Sequence, residues 1–355
     1  MTGHDALKLD FVTVDVFTDT RFTGNPLAVV FVPASLRARV DQSTKQRIAR
    51  EFNLSETVFL HTLDDEPNRT VTTREIDIFT VESELPFAGH PTIGSAYLVL
   101  HHLGWSHVDT LQTKAGPIRI ESLQGHGQGQ GRVRAMIPHA VHIHRQTLGG
   151  ILDSPSSGSP AGTAAAAADA IRQGLSTDPD IRAAELAGPV VSIVRGMSFV
   201  LVRLPSLEHL GRVTPASRID FAKVAPELLD QGEWHDGFVS RYYYVPLGRG
   251  ADEGAIADDG GSSRSWEIRA RMVELGFEDP ATGSAACTLA SYLALKNEAV
   301  GGARFEITQG VEMGRRSDIV VDAVASRDEE SAEIRVKELF LGGTAVVVMN
   351  GSISV

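Results

Sequence analysis

Apolar residues on alternate positions set the first element. Val12, Val14 and Val16 recur within Leu9–Phe17 at the period of a strand with one buried face. Arg21–Pro26 then carries turn chemistry and Leu27–Val32 is a short apolar run, so the two predict a hairpin with Gly24-Asn25 in its connection. The period changes over Asp41–Phe52, where Ile48, Ala49 and Phe52 fall on one helical face. Asn53-Leu54-Ser55-Glu56 leads into a strand at Thr57–Leu60, and a further strand is expected over Thr70–Phe79. Strands are predicted near Thr110–Lys114, Ile118–Ser122 and Arg132–Ile137, with Gln124–Gly131 as a flexible hairpin tip. Later come Val190–Val194, Phe199–Leu204, Trp266–Arg271, Arg304–Thr308, Ile319–Ala323 and Ile334–Lys337. Thr344–Met349 and Ile353–Val355 are expected to close the chain as a hairpin about Asn350-Gly351. Many strands with one long helix per half predict an α+β fold whose sheet is predominantly antiparallel.

The two long helices open on matching sequence. His90-Pro91-Thr92-Ile93-Gly94-Ser95-Ala96 aligns with Asp279-Pro280-Ala281-Thr282-Gly283-Ser284-Ala285 with three substitutions. Each copy starts with an ionisable residue before proline and runs through Gly-Ser-Ala into an apolar stripe. The first stripe is Ile93, Ala96, Tyr97, Leu100 and Leu103, and the second is Ala285, Ala286, Leu289, Ala290, Leu293 and Ala294. Asp279 is placed just before a helix start and Ser284 in its first turn, where free N–H groups and the helix dipole suit an anion. Taken alone, Asp279 reads as a helix cap. Found twice, the pattern predicts two related halves whose helix N-termini face one another across a cleft.

Composition places limits on this picture. The chain of 355 residues is long enough for two domains, and 42% apolar with 22% charged residues is a globular composition. The clearest break is Gln146–Ala170, where Ser, Pro and Gly give way to an alanine tract, a composition that reads as a linker with a helix after it. The expected division is therefore 1–145 as one half, 146–185 as a low-complexity linker, and 186–343 as the second half. Residues 344–355 are a candidate strand returning to the first half. Gly248–Ser265 reads as a second low-complexity loop. A net charge of −12 without a basic run argues against nucleic acid or an anionic membrane as partner. Cys287 is the single cysteine, so no disulfide framework or cysteine-ligated zinc is available, and a reducing compartment fits. The N-terminus carries no apolar signal region and no run is long enough to span a bilayer, so the expected location is cytoplasmic. No phosphate-cradling loop, dinucleotide fingerprint or metal-ligand spacing is present, and no cofactor is expected.

Four segments resemble the phenazine-biosynthesis PhzF-like family: Arg21-Phe22-Thr23-Gly24-Asn25-Pro26-Leu27-Ala28-Val29-Val30, Leu54-Ser55-Glu56-Thr57, Phe87-Ala88-Gly89-His90-Pro91-Thr92 and Glu278–Ala285. They occur in the family's order, and the resemblance extends from near the N-terminus to Ser317. It implies the diaminopimelate epimerase fold, in which each of two pseudo-symmetric halves is a barrel-like sheet around a central helix. It also implies a homodimer.

The resemblance makes Glu56 the acid/base, a role that needs a carboxyl whose pKa is raised by partial burial. By residue type alone Glu56 is a surface acid leading into a strand. His90 and Asp279 carry over as partners flanking the substrate, although a histidine at a helix entry is otherwise often structural. Gly89, Gly283 and Ser284 carry over as contacts to a substrate carboxylate. Asn25 is a further polar contact or simply a turn residue. Arg315 and Arg316, near the Gln309-Gly310 turn, read either as an anion-holding pair or as solvated surface, and the family usually has proline at the second position. The epimerase branch places a cysteine at each repeat opener, where this chain has His90 and Asp279, so two-thiol racemisation is unavailable. Cys287 reads as a small buried helix residue. The resemblance therefore implies an isomerase that shifts a proton within a small carboxylate-bearing molecule. The alternatives are an amino-acid racemase using Glu56 and His90, and a non-catalytic binding protein of the same fold.

Overall fold

In the computed structural model, the described residues are 7–65, 69–123, 131–153, 162–216, 218–247, 264–274, 277–297, 300–328 and 333–355. Most of the tract 124–131 and most of 248–265, both read above as loops, lie outside them. Two compact units divide the chain. One comprises the residues up to Ile137 together with Phe340–Val355, and the other is Pro138–Leu339.

The first unit is built outward from Lys8–Val16. This strand pairs antiparallel with Asn25–Pro33 (Val14 opposite Leu27) and with Ala345–Ser354 (Val12 opposite Asn350). Asp41 caps the helix Gln42–Phe52 by accepting from the Thr44 amide, and Asn53 ends it in the left-handed conformation at φ 51°. That crossover delivers Thr57–Thr62 parallel to Asn25–Pro33, with Thr57 opposite Ala28. Thr73–Phe79, Thr110–Thr113, Gly116–Leu123, Arg132–Met136 and Phe340–Gly343 extend the sheet. The sheet curls around the helix Gly89–Tyr97, which touches strands from Lys8–Val16 through to Arg132–Met136 and Ala345–Ser354. Every residue from Gly89 to Ala96 is buried. The helical path continues beyond Tyr97 as a π-helical turn, Leu98–His102.

The second unit repeats the theme. Val190–Val194, Gly196–Arg203, Gly237–Leu247, Arg264–Glu274, Gly301–Gln309 and Ser317–Arg327 form its sheet, mostly antiparallel with two parallel pairings. The helix Gly283–Lys296 packs on four of these strands, with its alanines and Cys287 inward. A helical layer covers part of this sheet, formed by Leu148–Asp153, Thr163–Gly174, Pro179–Ala187 and Phe221–Leu228. Ile151, Ile171, Ile181 and Val224 meet Val200, Val202 and Tyr243 in one core. Among the described residues no helix is long and apolar enough to cross a membrane.

Three sequence expectations are corrected. The described part of 146–185 holds more than a linker and one helix: Leu148–Asp153, Thr163–Gly174 and the start of Pro179–Ala187 belong to this helical layer. Alanine is the strongest helix former, and Ala167, Ala170 and Ile171 bury a stripe that a linker would expose. The division between units accordingly falls at Ile137 and Pro138, not near 145. Asn350-Gly351 does not turn the chain. Ala345–Ser354 is one strand, because nine residue pairs with Lys8–Val16, with a bulge at Thr13/Val14, outweigh the local turn signal.

Full burial of the first central helix depends on Gly94, where a Cβ would stand 2.6 Å from Leu27 Cδ2 and 2.8 Å from Val16 Cγ2. Both methyls belong to buried strand residues with no room to retreat. Gly94→Ala is expected to destabilise the protein by about 1–3 kcal/mol by overpacking, despite alanine's better helix propensity. Urea unfolding measures this, and a stabilised variant contradicts it.

Candidate active site

Three neighbouring chain segments of the first unit present the sequence-predicted residues. Asn25 opens one strand, Glu56 immediately precedes the strand parallel to it, and His90 lies in the first turn of the central helix. The turn before Asn25 is tightly specified. Gly24 has φ +67°, and a Cβ there would meet the Val16 carbonyl oxygen at 2.4 Å, so only glycine fits. Phe22 also has positive φ, at 69°, and its amide donates to the buried Asp15 carboxylate at 2.6 Å. Asn25 itself is 1% exposed, a buried polar residue rather than a loop-tip turn residue.

The structure brings Glu56 and His90 together. His90 Nδ1 is 3.5 Å from Glu56 Oε2, with side-chain exposures of 5% and 17%. Such a separation is long for a charge-assisted hydrogen bond, which runs at about 2.7–2.9 Å, so the two groups are neighbours without a short bond between them. Burial raises the Glu56 pKa above its ordinary 4.5, opposed by a hydrogen bond from Ser55. Glu56 Oε2 accepts no hydrogen bond among the described residues. A carboxyl so placed keeps its proton more readily than a solvated glutamate, the direction an acid/base requires. Gly89, buried, forms the first helical residue next to His90.

In the second unit Asp279 ends the strand Phe277–Asp279, paired with Met272, and the helix begins at Gly283 with Thr282 as its cap residue. The matched openers therefore differ: His90 is inside its helix, whereas Asp279 stands before its own. Thr282 Oγ1 donates to Asp279 Oδ2 at 2.6 Å. Ser284 lies half-buried in the first turn, and its carbonyl accepts from Thr288 Oγ1. Arg271 clamps Glu278 through two bonds of 2.8 Å, fixing the residue before Asp279. Sequence reasoning did not single out Thr282, although its place three residues after an aspartate was visible. Arg316 pairs with Asp318 on the surface, which favours solvated surface over an anion site at that residue.

Two other clusters hold metal-ligand types, and in both the donors are already engaged. At His61, Glu75 and Asp77, the Lys45 ammonium sits on Asp77 Oδ2 at 2.5 Å, beside the His61 Nε2 contact at 2.7 Å. At His142, His144 and Asp230, His144 Nδ1 accepts from the Asp230 amide at 2.9 Å, so its proton is on Nε2 and goes to Ser192 Oγ at 2.8 Å. Burial and the neighbouring His142 push the His144 pKa down to about 4.

Comparison with known proteins adds an independent line. A family model described as phenazine biosynthesis-like protein (PhzC-PhzF) matches residues 14–229 and 254–351. An uncharacterized isomerase of Mesorhizobium japonicum is 30% identical over 354 residues, covering 97% of this chain and 98% of the relative. A trans-2,3-dihydro-3-hydroxyanthranilate isomerase of Pseudomonas chlororaphis is 29% identical over 324 residues, covering 90% of this chain and 92% of that protein. The crystal structure of a PhzF-family phenazine biosynthesis protein from Bacillus anthracis aligns over 98% of this chain and 100% of its own, with a TM-score of 0.63 at 20% identity.

Two expectations arise from the electrostatics. The folded Glu56 carboxyl keeps its proton to a higher pH than the unfolded chain, whose glutamate titrates near 4.5. The folded state thus binds more protons in that window, and stability falls as pH rises through it. Glu56→Gln should be more stable than the parent at pH 7, with the difference shrinking as pH falls toward 4.5, as urea unfolding at several pH values will show. Cys287 is fully buried, and burial holds its thiol far above the usual range, so it carries almost no thiolate at neutral pH. Iodoacetamide should leave the native protein unmodified by mass spectrometry while labelling it in denaturant.

Proposed function

The chain belongs to the PhzC-PhzF family of phenazine biosynthesis-like proteins and is an isomerase of that family, and we propose that Glu56 is the base that moves a proton within its substrate. The observation that carries the reading is the Glu56–His90 pair, a carboxyl with a raised pKa beside a buried imidazole. The substrate class is a small unsaturated or α-amino carboxylic acid. Ionised Glu56 takes a proton from carbon, the C–H electron pair moves into the π system, and the Glu56 carboxyl, whose proton exchanges with water, returns a proton at the other end of that system. His90 lies near enough to share the proton while the substrate rearranges. Each transfer needs a carboxyl more basic than a solvated glutamate, and burial moves Glu56 in that direction.

Asp279, Gly283 and Ser284 are assigned to the same substrate, on the strength of the matched repeat, with Asn25 and Gly89 as further contacts. Backbone N–H groups at a helix start suit the substrate carboxylate. An active homodimer in the cytoplasm is part of this reading, and light scattering at micromolar concentration tests the assembly separately.

The test uses trans-2,3-dihydro-3-hydroxyanthranilate, the compound named for the Pseudomonas relatives, and then a panel of small unsaturated and α-amino acids in D2O. The expected result is deuterium at a new carbon position for at least one compound. Glu56→Gln should lower that rate by about 10²–10⁴-fold while binding persists. The rate should rise with pH through a value above 4.5, because the base must be ionised. Turnover by Glu56→Gln at the parent rate would sink the assignment.

A further inference from the structure

The side chain behind Asp279 is Gln309, fully buried at the end of the strand Gly301–Gln309. Its amide meets four partners. Nε2 donates to the Asp279 carbonyl at 2.8 Å and to Thr282 Oγ1 at 3.0 Å. Oε1 accepts from the Thr282 amide at 3.2 Å and from the Tyr242 hydroxyl at 3.0 Å. All four hydrogen-bonding positions of the amide are therefore filled.

These bonds fix their own direction. The Thr282 amide can only donate and the Asp279 carbonyl can only accept, so the glutamine cannot be turned over. Thr282 Oγ1 receives one Nε2 hydrogen and must send its own proton onward, and the group in line is Asp279 Oδ2, at 2.6 Å. That distance lies in the range of about 2.5–2.7 Å for a hydroxyl donating to a charged oxygen. Tyr242 begins the chain as a permanent donor, because burial, together with the charge of Asp279, holds its phenol well above its ordinary pKa of 10. The order Tyr242, Gln309, Thr282, Asp279 thus runs donor to acceptor without a break.

The backbone supports the same arrangement. Gly310, at φ +74°, leaves room for the Pro280 carbonyl oxygen, which a Cβ would meet at 2.7 Å. The strand end therefore lies directly against the Asp279-Pro280 turn. On the other side the Arg271–Glu278 pair holds the preceding residue.

We infer that Gln309 is a positioning residue for Asp279, acting through Thr282 and backed by Tyr242, so that Asp279 Oδ2 is committed as an acceptor. Asp279 then serves as a fixed anion, and proton storage falls to Glu56 and His90. This inference rests on the proposed function for its catalytic meaning, but the arrangement itself can be tested without turnover.

The experiment labels aspartate carboxyl carbons with ¹³C, assigns Asp279 by Asp279→Asn, and follows its titration by NMR in the full chain. Thr282→Val removes the donor at nearly constant shape, Thr282→Ser restores it, and Gln309→Leu removes the hub. The expected result is a rise of roughly one pH unit in the Asp279 midpoint for Thr282→Val and Gln309→Leu, and none for Thr282→Ser. Turnover of the compound found active in D2O should fall by about 10²-fold in Thr282→Val with KM little changed, and Thr282→Ser should recover it. An Asp279 midpoint unmoved in folded Thr282→Val overturns the inference, whatever happens to the rate. A moved midpoint with unchanged turnover keeps the positioning and instead overturns the part given to Asp279 in the proposed function. If Gln309→Leu does not fold, Tyr242→Phe replaces it, with a smaller rise expected and an unmoved midpoint counting against the relay.

Discussion

A helix buried around its whole circumference has no solvent face on which to place polar groups, and this constraint governs both units. Where the central helices are buried on all sides, over Gly89–Ala96 and Ala285–Ser291, small residues predominate because the enclosing strands leave little room. Polar chemistry is thereby pushed to the helix starts. His90 and Gly89 occupy one such start, and Asp279, Thr282, Gly283 and Ser284 surround the other. The unmet N–H groups of a first turn then become available for an anion at the end of the helix that the strands do not pair.

The same burial shapes the electrostatics of Glu56. A carboxylate removed from water is costly to ionise, and a single hydrogen bond from Ser55 does not offset this. Asp279 is held differently, by a short bond from Thr282 Oγ1 and a saturated glutamine behind its carbonyl. Two acids, one in each unit, are thus given different environments. Separating acid and base roles in this way depends on surroundings and not on residue type. The buried Glu185–Arg241 pair, bonded also to Tyr243 and the Ser176 amide, shows a third outcome, in which charge serves packing alone.

Sequence reasoning succeeded where a local pattern was repeated or periodic. The strand alternation of Leu9–Phe17, the capped helix after Asp41 and the doubled Pro-x-x-Gly-Ser-Ala motif all correspond to observed elements. It failed where long-range pairing or packing outweighed a local signal. Asn350-Gly351 is a strong hairpin dipeptide, yet its neighbours gain more by pairing along the first strand. The alanine tract looked like a linker because composition does not say which side of a helix is covered.

The sequence by itself determined the family, the α+β class and the repeated Gly-Ser-Ala stretch at the two helix starts, since these depend on local order along the chain. Only the tertiary structure decided that Glu56 lies beside His90, because 34 residues separate them in sequence and nothing local sets their 3.5 Å approach. It also decided that Gln309 serves Asp279, a contact across 30 residues that depends on a strand end meeting a turn. Burial decided the rest. It is a property of what surrounds a side chain, and for Glu56, Asn25 and Cys287 the surroundings come from strands and helices distant in the chain.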